Sequence, residues 1–380
     1  MTARMRICMP TISQTAHHNN NIDATMSSTV KDIAKAAGVS AATVSLVLNG
    51  KGGISEDTRT RVLLAASDLN YAPRTAKRSV APGPGTLRFL KIARHGHTVN
   101  RDHNTFISDY IDGMSHQAGV CGYKLEVVNH EGKAIQDIVA SLSGAKISGL
   151  VVLGTELTEA DIQQLLAVDT PIVVIDTFCD GLECNFVNMN NRDAVGKILA
   201  HFVELGFRRI GFIGSQVQTI NFRLRQEAFV DGMRALRLPV AAQDMVTVDS
   251  TFDGAYQDML GMLRAGRAVP ECYFCTNDII TYGCIKAFRE FNIRIPEDLS
   301  IIGFDNLPMS ATMDPPLTTI DVSKRKIGRL AISVLDEQIR STEPQPAVKI
   351  LVGADLVIRG SVDPTPRGLD IGRRPLALPV

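Results

Sequence analysis

Polar side chains recur in this 380-residue chain where apolar runs stop. His95 and His97 follow "LRFLKIA" (87–93), Asn129 closes "KLEVVN" (124–129), Asp176 closes "PIVVID" (171–176) and Ser215 follows "RIGFIG" (209–214). Asn277 and Asp278 follow "CYFCT" (272–276), and Asp305 and Asn306 sit at the end of "LSIIGFD" (299–305). Arg223 and Arg225 open the helical stretch after "FIGSQ". Carboxylates and amides accept from and donate to paired hydroxyls, and arginine offers a rigid fork of donors. The set therefore suits a polyhydroxylated ligand. Each residue alone reads more readily as a loop or helix cap than as a ligand contact.

Catalytic signatures are incomplete. The chain has no GxxxxGK[ST] phosphate loop and no GxSxG elbow, and "GFIGS" (211–215) lacks the glycine spacing of a dinucleotide fingerprint. "HGHTVNRDH" (95–103) offers three imidazoles and Asp102, but metal binding needs converging ligands and supporting partners. "CYFC" (272–275) lies in an apolar run with no second pair at zinc spacing, so the seven cysteines read as reduced thiols. The expectation is a protein that is not an enzyme and carries no metal or other cofactor.

The elements that must position the polar set alternate along the chain. Besides the six strands just quoted, "GLVVLG" (149–154) and "MVTVD" (245–249) read as strands. Helical stretches at 105–118, 134–143, 192–205, 222–237, 279–291 and 324–340 separate most of them. Near-continuous apolar strands between helices predict parallel sheets covered on both faces. Such a length splits into two lobes. We place one lobe at about 87–189 plus a segment near 324–350, and the other at about 190–320 plus the C-terminal segment. In open parallel sheets ligands bind beyond the carboxyl ends of strands, where the polar set lies.

The first eighty residues differ. Thr29 with Asp32 has capping-box spacing, and Val30, Ile33, Ala34 and Ala37 then share a helical face. Gly38 stops that helix, and Ser40 caps a second with Val44, Val47 and Leu48 inward. Ser55 caps a third with Val62, Ala65, Ala66 and Leu69 inward. The short glycine-containing gap suits a helix-turn-helix over 29–72. "APGPG" (81–85) breaks regular structure, so 73–86 reads as a hinge and linker. Residues 1–28 and 363–380 read as a disordered leader and tail, with Met26 an alternative start.

Formal net charge is zero, yet residues 27–81 hold eight Lys/Arg against four Asp/Glu, a net of +4. A small basic head on an acidic body fits an anionic partner. A helix that enters the DNA major groove by its N-terminal end needs small side chains there. In "GVSAATVSLVLNG" (38–50), Thr43 and Ser45 suit phosphates, while Ala41, Ala42 and Leu46 offer only apolar contact to base edges.

At this point the sequence resembles the lactose-repressor (LacI/GalR) family of bacterial transcription regulators. The likeness runs in order from about 29 to 362. It covers the head "TVKDIAKAAGVSAATVSLVLNGKGGISEDTRTRVLLAASDLNYAPRTAKRSV" and the body stretches "VVIDT" (173–177), "NNRDA" (190–194), "RLRQEAF" (223–229), "CTNDIITYG" (275–283), "IPEDLSIIGFDN" (295–306) and "PPLTTID" (315–321).

The resemblance implies a fold with an all-α helix-turn-helix head and an α/β two-lobed core like periplasmic binding proteins. It places Ser40, Thr43, Ser45 and Asn49 on phosphates and positions 41, 42 and 46 on bases, with Leu46 where the family very often has Arg. Val30, Lys31, Ser55, Thr58 and Tyr71 complete the expected DNA-facing set of the head. The hinge contributes Lys77, Arg78 and Val80, the last a small wedge for the minor groove. Effector contacts carry over onto Arg225, Asn277 and Asp305, with Asp176 a weaker match; His95 joins them from the strand-end pattern. Phe252, with Phe106 and Phe178, is a ring able to stack on a sugar, against a core role for each.

The expected protein is a cytoplasmic homodimer, without a membrane segment. It binds double-stranded DNA at a pseudopalindromic operator, and a small molecule, most simply a sugar, controls it from the cleft. The Pro-broken tail cannot form the Leu heptads of the family's tetramers. A ligand-controlled activator, or a sugar-binding protein with a non-functional head, are the alternatives.

Overall fold

A computed structural model of the protein describes residues 29–48, 54–69, 85–94 and 104–365. The chain divides into two compact units, residues 1–79 and 80–380.

The first unit holds three helices: α1 (Val30–Ala37), α2 (Ala41–Leu48) and α3 (Glu56–Asp68). The Thr29 N–H and hydroxyl both donate to the Asp32 carboxylate, at 2.8 and 2.7 Å. Gly38 takes a left-handed φ of 66°, which ends α1 at no steric cost. Ser40 Oγ accepts the Thr43 N–H and Ser55 Oγ accepts the Thr58 N–H, so both serines cap as their positions predict. Ile33, Ala34, Ala37, Val44, Val47, Val62, Ala65 and Ala66 form a separate small core. The side chains of Val30 and Leu48, expected on these inner faces, lie outside the described residues.

The second unit contains two six-stranded sheets. In chain order its first half runs β1 (Thr86–Ala93), α4 (Asn104–Cys121), β2 (Lys124–Glu131), α5 (Ile135–Leu142), β3 (Gly149–Leu153), α6 (Glu159–Leu165), β4 (Ile172–Ile175) and β5 (Asn185–Met189). Then come α7 (Asn191–Glu204), β6 (Ile210–Ser215), α8 (Ile220–Ala235), β7 (Met245–Val248), α9 (Phe252–Arg264), β8 (Cys272–Cys275), α10 (Asp278–Glu290), β9 (Ser300–Phe304), α11 (Pro308–Thr312) and β10 (Thr318–Val322). The long α12 (Lys324–Arg340) and two short strands, β11 (Lys349–Val352) and β12 (Ala354–Val357), complete it.

Sheet order is β11-β5-β4-β3-β1-β2 in one lobe and β12-β10-β9-β8-β6-β7 in the other. The chain therefore passes between lobes three times: at Asn190, at Ser323 and at Gly353. The Asn190 N–H donates to the Val352 carbonyl at 2.8 Å, which ties two of these passages together.

The sheets are parallel except at one edge. β12 pairs antiparallel with β10, because the chain enters it directly from β11 without a crossover helix. Four strands (β5, β10, β11, β12) and three helices (α6, α9, α11) were absent from the sequence-based pattern. β5 reads "NFVNM" and β10 "TTIDV", and their polar residues break the apolar run that marks a buried strand. Both β11 and β12 have four residues, too few to show a period.

Helices α4 and α12 pack with almost no side chain between them. A Cβ added at Gly113 would meet the Arg325 carbonyl, and one at Gly328 would meet the Tyr110 carbonyl. By contrast, a Cβ at Gly196, exposed in mid-α7, meets nothing within 4 Å. Gly328→Val is expected to cost about 1–3 kcal/mol or more by overpacking. Gly196→Ala is expected to add about 0.5–1 kcal/mol through helix propensity. Thermal midpoints moving in opposite directions would confirm the pair; equal shifts would contradict it.

Candidate functional site

In the head, the residues expected to face bases, Ala41, Ala42 and Leu46, lie on α2 with Thr43 and Ser45. Ala41, Ala42, Ser45 and Leu46 are exposed, and Thr43 is half-buried beside Ser40, with 2.9 Å between the two hydroxyls. Leu46 is an apolar side chain left on the surface, where burial would have favoured it. Lys31 and Ser55 are exposed and Thr58 is half-buried. Asn49, Tyr71, Lys77, Arg78 and Val80 lie outside the described residues, as does the side chain of Val30.

In the core, Asp176, Asn277 and Asp305 lie past the carboxyl ends of β4, β8 and β9, and Arg225 reaches Asp305 from α8, all four buried. Asp176 directly follows β4 and Asp305 directly follows β9, the strands that hold the third place in each sheet order. Both have positive φ, 62° and 116°, a conformation that costs energy in a residue with a Cβ.

Arg225 is 3% exposed. Its Nε donates to Asn191 Oδ1 at 2.9 Å and its Nη1 to the Thr276 carbonyl at 2.6 Å. Its Nη2 lies 3.0 Å from Met189 Sδ and 3.6 Å from Asp305 Oδ1. The guanidinium sits over the Phe304 ring, 3.6 Å from its centroid.

Burial pushes the Asp305 carboxyl up to about 7, against the opposing pull of Arg225. Burial also lowers Arg225, with Asp305 the largest opposing influence. The contact therefore does not fully offset the loss of water around either charge. Asp176 is likewise raised by burial, against hydrogen bonds from Thr155 and Tyr110.

Several buried polar atoms at this edge make no hydrogen bond. They are Asp305 Oδ1, Thr276 Oγ1, Ser250 Oγ, Thr177 Oγ1 and Asn188 Oδ1. Buried polar groups are nearly always paired, so these atoms are left for water or another molecule's polar groups to meet. Thr155, whose hydroxyl donates to Asp176, also lines a cavity of about 1170 Å³. Arg94, Glu156 and Phe178 border that cavity from one lobe, and Thr219 and Arg223 from the other.

Other expected members sit differently. Asn277 Oδ1 caps α10 by accepting the Ile280 N–H at 2.9 Å. Burial lifts the Asp278 carboxyl to about 6, against the lowering effect of the hydrogen bonds it accepts from the Ser310 and Thr319 hydroxyls and the Leu307 N–H. Phe252 opens α9, half-buried against the core, with the Lys286 ammonium 5.9 Å from its ring centroid. None of the hydrogen bonds around Arg225 and Asp305 involves it. Asn129 is exposed on the edge strand β2. His95, His97 and His103 lie outside the described residues.

The strand-end pattern missed Tyr110, Asn188, Asn191, Asn221 and Lys324. Asn221 stands four residues before Arg225 on α8, hence on the same helical face, and that spacing was readable. Asn188 and Asn191 fall in "NFVNMN", where amides interrupt a buried strand. Among the described residues, no group of three or more His, Cys, Asp or Glu is arranged to hold a metal ion.

Comparisons with known proteins agree with this geometry in both units. Residues 29–74 match the family described as bacterial regulatory proteins, lacI family, and residues 199–362 match the periplasmic binding protein-like domain. The HTH-type transcriptional repressor PurR of Haemophilus influenzae (Rd) is 31% identical over 341 residues, covering 88% of this chain and 98% of that protein. Its namesake from Photobacterium profundum is 30% identical over 338 residues, with the same coverage. Two solved structures share the fold: a transcriptional regulator CelR–cellobiose complex (TM-score 0.64, 20% identity) and the lac repressor dimer bound to operator and the anti-inducer ONPF (TM-score 0.63, 24% identity). Each covers 88% of this chain and is itself covered to 99%.

The raised Asp305 carboxyl has a consequence for stability. An unfolded Asp titrates near 3.9, so between about pH 4 and 7 the folded core holds a proton that the unfolded chain has lost. Stability from this group is fully present below pH 4 and is lost as pH rises through about 7. The thermal midpoint of the wild type is expected to fall more steeply between pH 5 and 8 than that of Asp305→Asn. Parallel profiles would contradict the assignment.

Proposed function

The chain belongs to the lacI family of bacterial regulatory proteins, and from that premise we propose that it is a transcriptional repressor whose grip on operator DNA is set by a small molecule in the inter-lobe cleft. The observation that carries the reading is the pairing, in one chain, of a capped helix-turn-helix with a core whose buried polar edge has unfilled hydrogen-bonding atoms.

The head's chemistry supports DNA. Backbone N–H groups at the start of α2, with the Ser40 and Thr43 hydroxyls, suit phosphate oxygens. Ala41, Ala42 and Leu46 carry no hydrogen-bonding groups, so base reading there rests on apolar contact, as with a thymine methyl. The protein acts as a homodimer on a pseudopalindrome, one half-site per head, in the cytoplasm.

The cleft's chemistry supports a neutral polyol, most simply a sugar. Asp305 offers an acceptor without a hydrogen bond next to the Arg225 guanidinium, and the buried Thr276 and Ser250 hydroxyls follow β8 and β7 without a protein partner. Paired hydroxyls find both donors and acceptors there. Binding that favours one lobe arrangement changes operator affinity by its difference in affinity for the two arrangements. Nothing in this scheme needs catalysis.

Selection of bound sequences from a random DNA pool at fixed salt tests the first half. A two-fold symmetric site is expected, and Thr43→Ala should weaken all sequences alike while Leu46→Arg shifts the preferred base. Recovery of nothing above background, with or without a mixed panel of neutral sugars, would contradict the reading. For the cleft, Arg225→Ala is expected to raise the dissociation constant of any panel sugar that binds by about 30-fold or more. Unchanged binding would remove the cleft from the scheme.

A further inference from the structure

The two aspartates that occupy matching places in the two sheets do not have matching surroundings. Asp305 Oδ1 makes no hydrogen bond and lies 3.6 Å from the Arg225 guanidinium. The Asp305 backbone carbonyl accepts from Lys324 Nζ at 2.7 Å, which leaves its carboxylate to face the unfilled edge. Asp176, in contrast, is saturated by the protein. Its Oδ1 accepts from the Tyr110 hydroxyl at 2.9 Å and from Asn221 Nδ2 at 3.2 Å, and its Oδ2 accepts from the Thr155 hydroxyl.

The donors to Asp176 come from both lobes. Tyr110 and Thr155 belong to the lobe of β1–β5, as Asp176 does, but Asn221 stands on α8 of the other lobe. Asn221 uses both ends of its amide. Its Nδ2 also donates to the Asp176 carbonyl at 3.0 Å. Its Oδ1 accepts from Asn188 Nδ2 at 2.8 Å and from Asn191 Nδ2 at 2.9 Å. Asn188 and Asn191 flank Asn190, where the chain passes between lobes, and Asn191 in turn accepts from Arg225. All of these side chains except the half-buried Thr155 are buried.

We infer that Asp176 and Asn221 form a latch that holds the two lobes together, and that Asp176 is a positioning residue while recognition of the ligand falls to the Asp305 side of the cleft. The inference deepens the regulator reading and rests on it for the ligand's place. The latch itself rests only on the hydrogen bonds. Moving the lobes apart must break the bonds of Asn221 to Asp176 and Asn188, and it can leave those joining Asn191, Asn221 and Arg225 intact. Broken in a buried setting, the first set leaves a carboxylate and two amides to find water, so closure is all-or-none at this point. The chain Asp176–Asn221–Asn191–Arg225 then links the lobe contact to the guanidinium beside the ligand face.

Two substitutions at one position separate a latch from a packing role. Asn221→Asp keeps the side chain's shape but sets a second carboxylate against Asp176, whereas Asn221→Ala removes the bonds and leaves a gap. A latch predicts that Asn221→Asp opens the lobes more than Asn221→Ala does. Packing alone predicts the reverse order.

The readout is amide hydrogen exchange of the full-length protein over 188–191 and 221–225, with the radius of gyration from X-ray scattering, in the absence of sugar and DNA. Exchange faster by about tenfold or more in both variants, with the larger change for Asn221→Asp, is expected. Unchanged exchange in both, or a larger change for Asn221→Ala, would overturn the latch. If Asn221→Asp does not fold, Asn188→Ala replaces it. That variant removes one cross-lobe bond, is expected to speed exchange over 221–225, and overturns the latch if it does not. Because neither operator nor sugar is used, failure to recover an operator would remove the regulator reading and leave this result standing.

Discussion

A guanidinium stays charged inside a protein, and Arg225 is 3% exposed, so its donors must be met where water does not reach. That single demand organises the centre of the core. It is met by Asn191 at the start of α7, by the carbonyl of Thr276 after β8, by Met189 at the end of β5 and by Asp305 after β9. The flat face of the group rests on Phe304. Residues from both sheets thus converge on one side chain, next to a point where the chain passes between them. Losing any partner leaves a buried charge short of a bond, which is among the costliest defects in a folded protein.

The two sheets share a strand order, yet their equivalent corners have diverged. Asp176 and Asp305 each leave a buried strand with positive φ, at 62° and 116°, so both corners are strained, each in its own way. Around Asp176 the protein has supplied every donor, and the strain fixes a contact between lobes. Around Asp305 it has left an acceptor unfilled beside Arg225, and the strain holds that acceptor in place. On the proposed reading, one corner serves closure and the other recognition. Their connection through Asn221 and Asn191 is a physical route by which occupancy at one can bias the other.

Much of this was legible in the residues before any coordinates. The head's caps at Thr29, Ser40 and Ser55 are local chemistry, and local spacing finds them. Long apolar strands announced themselves, and the rule that ligands sit at their carboxyl ends gave a broad polar set, which the family resemblance narrowed to Asp176, Arg225, Asn277 and Asp305. The short strands β10, β11 and β12 were not legible, because polar residues interrupt β10 and four residues are too few for β11 and β12 to show a period. The amide chain was hidden for another reason. Asn188, Asn191 and Asn221 are 33 and 30 residues apart across their bonds, and nothing local says which amide meets which. Asn277 shows the opposite lesson, since a residue chosen as a ligand contact also serves as an ordinary helix cap. Asn49, Lys77, Arg78, Val80 and His95 lie outside the described residues, so their expected roles stand on the sequence and the family resemblance.

The central claim is that a ligand in the cleft and DNA at the head are thermodynamically coupled through one chain. Operator affinity of the full-length protein, titrated at fixed salt against each of a panel of neutral mono- and disaccharides, tests it most directly. At least one sugar is expected to change the operator dissociation constant by about fivefold or more, and operator DNA should change that sugar's dissociation constant by the same factor. A sugar that binds the core yet leaves operator affinity unmoved, or a panel in which none binds, would contradict the claim.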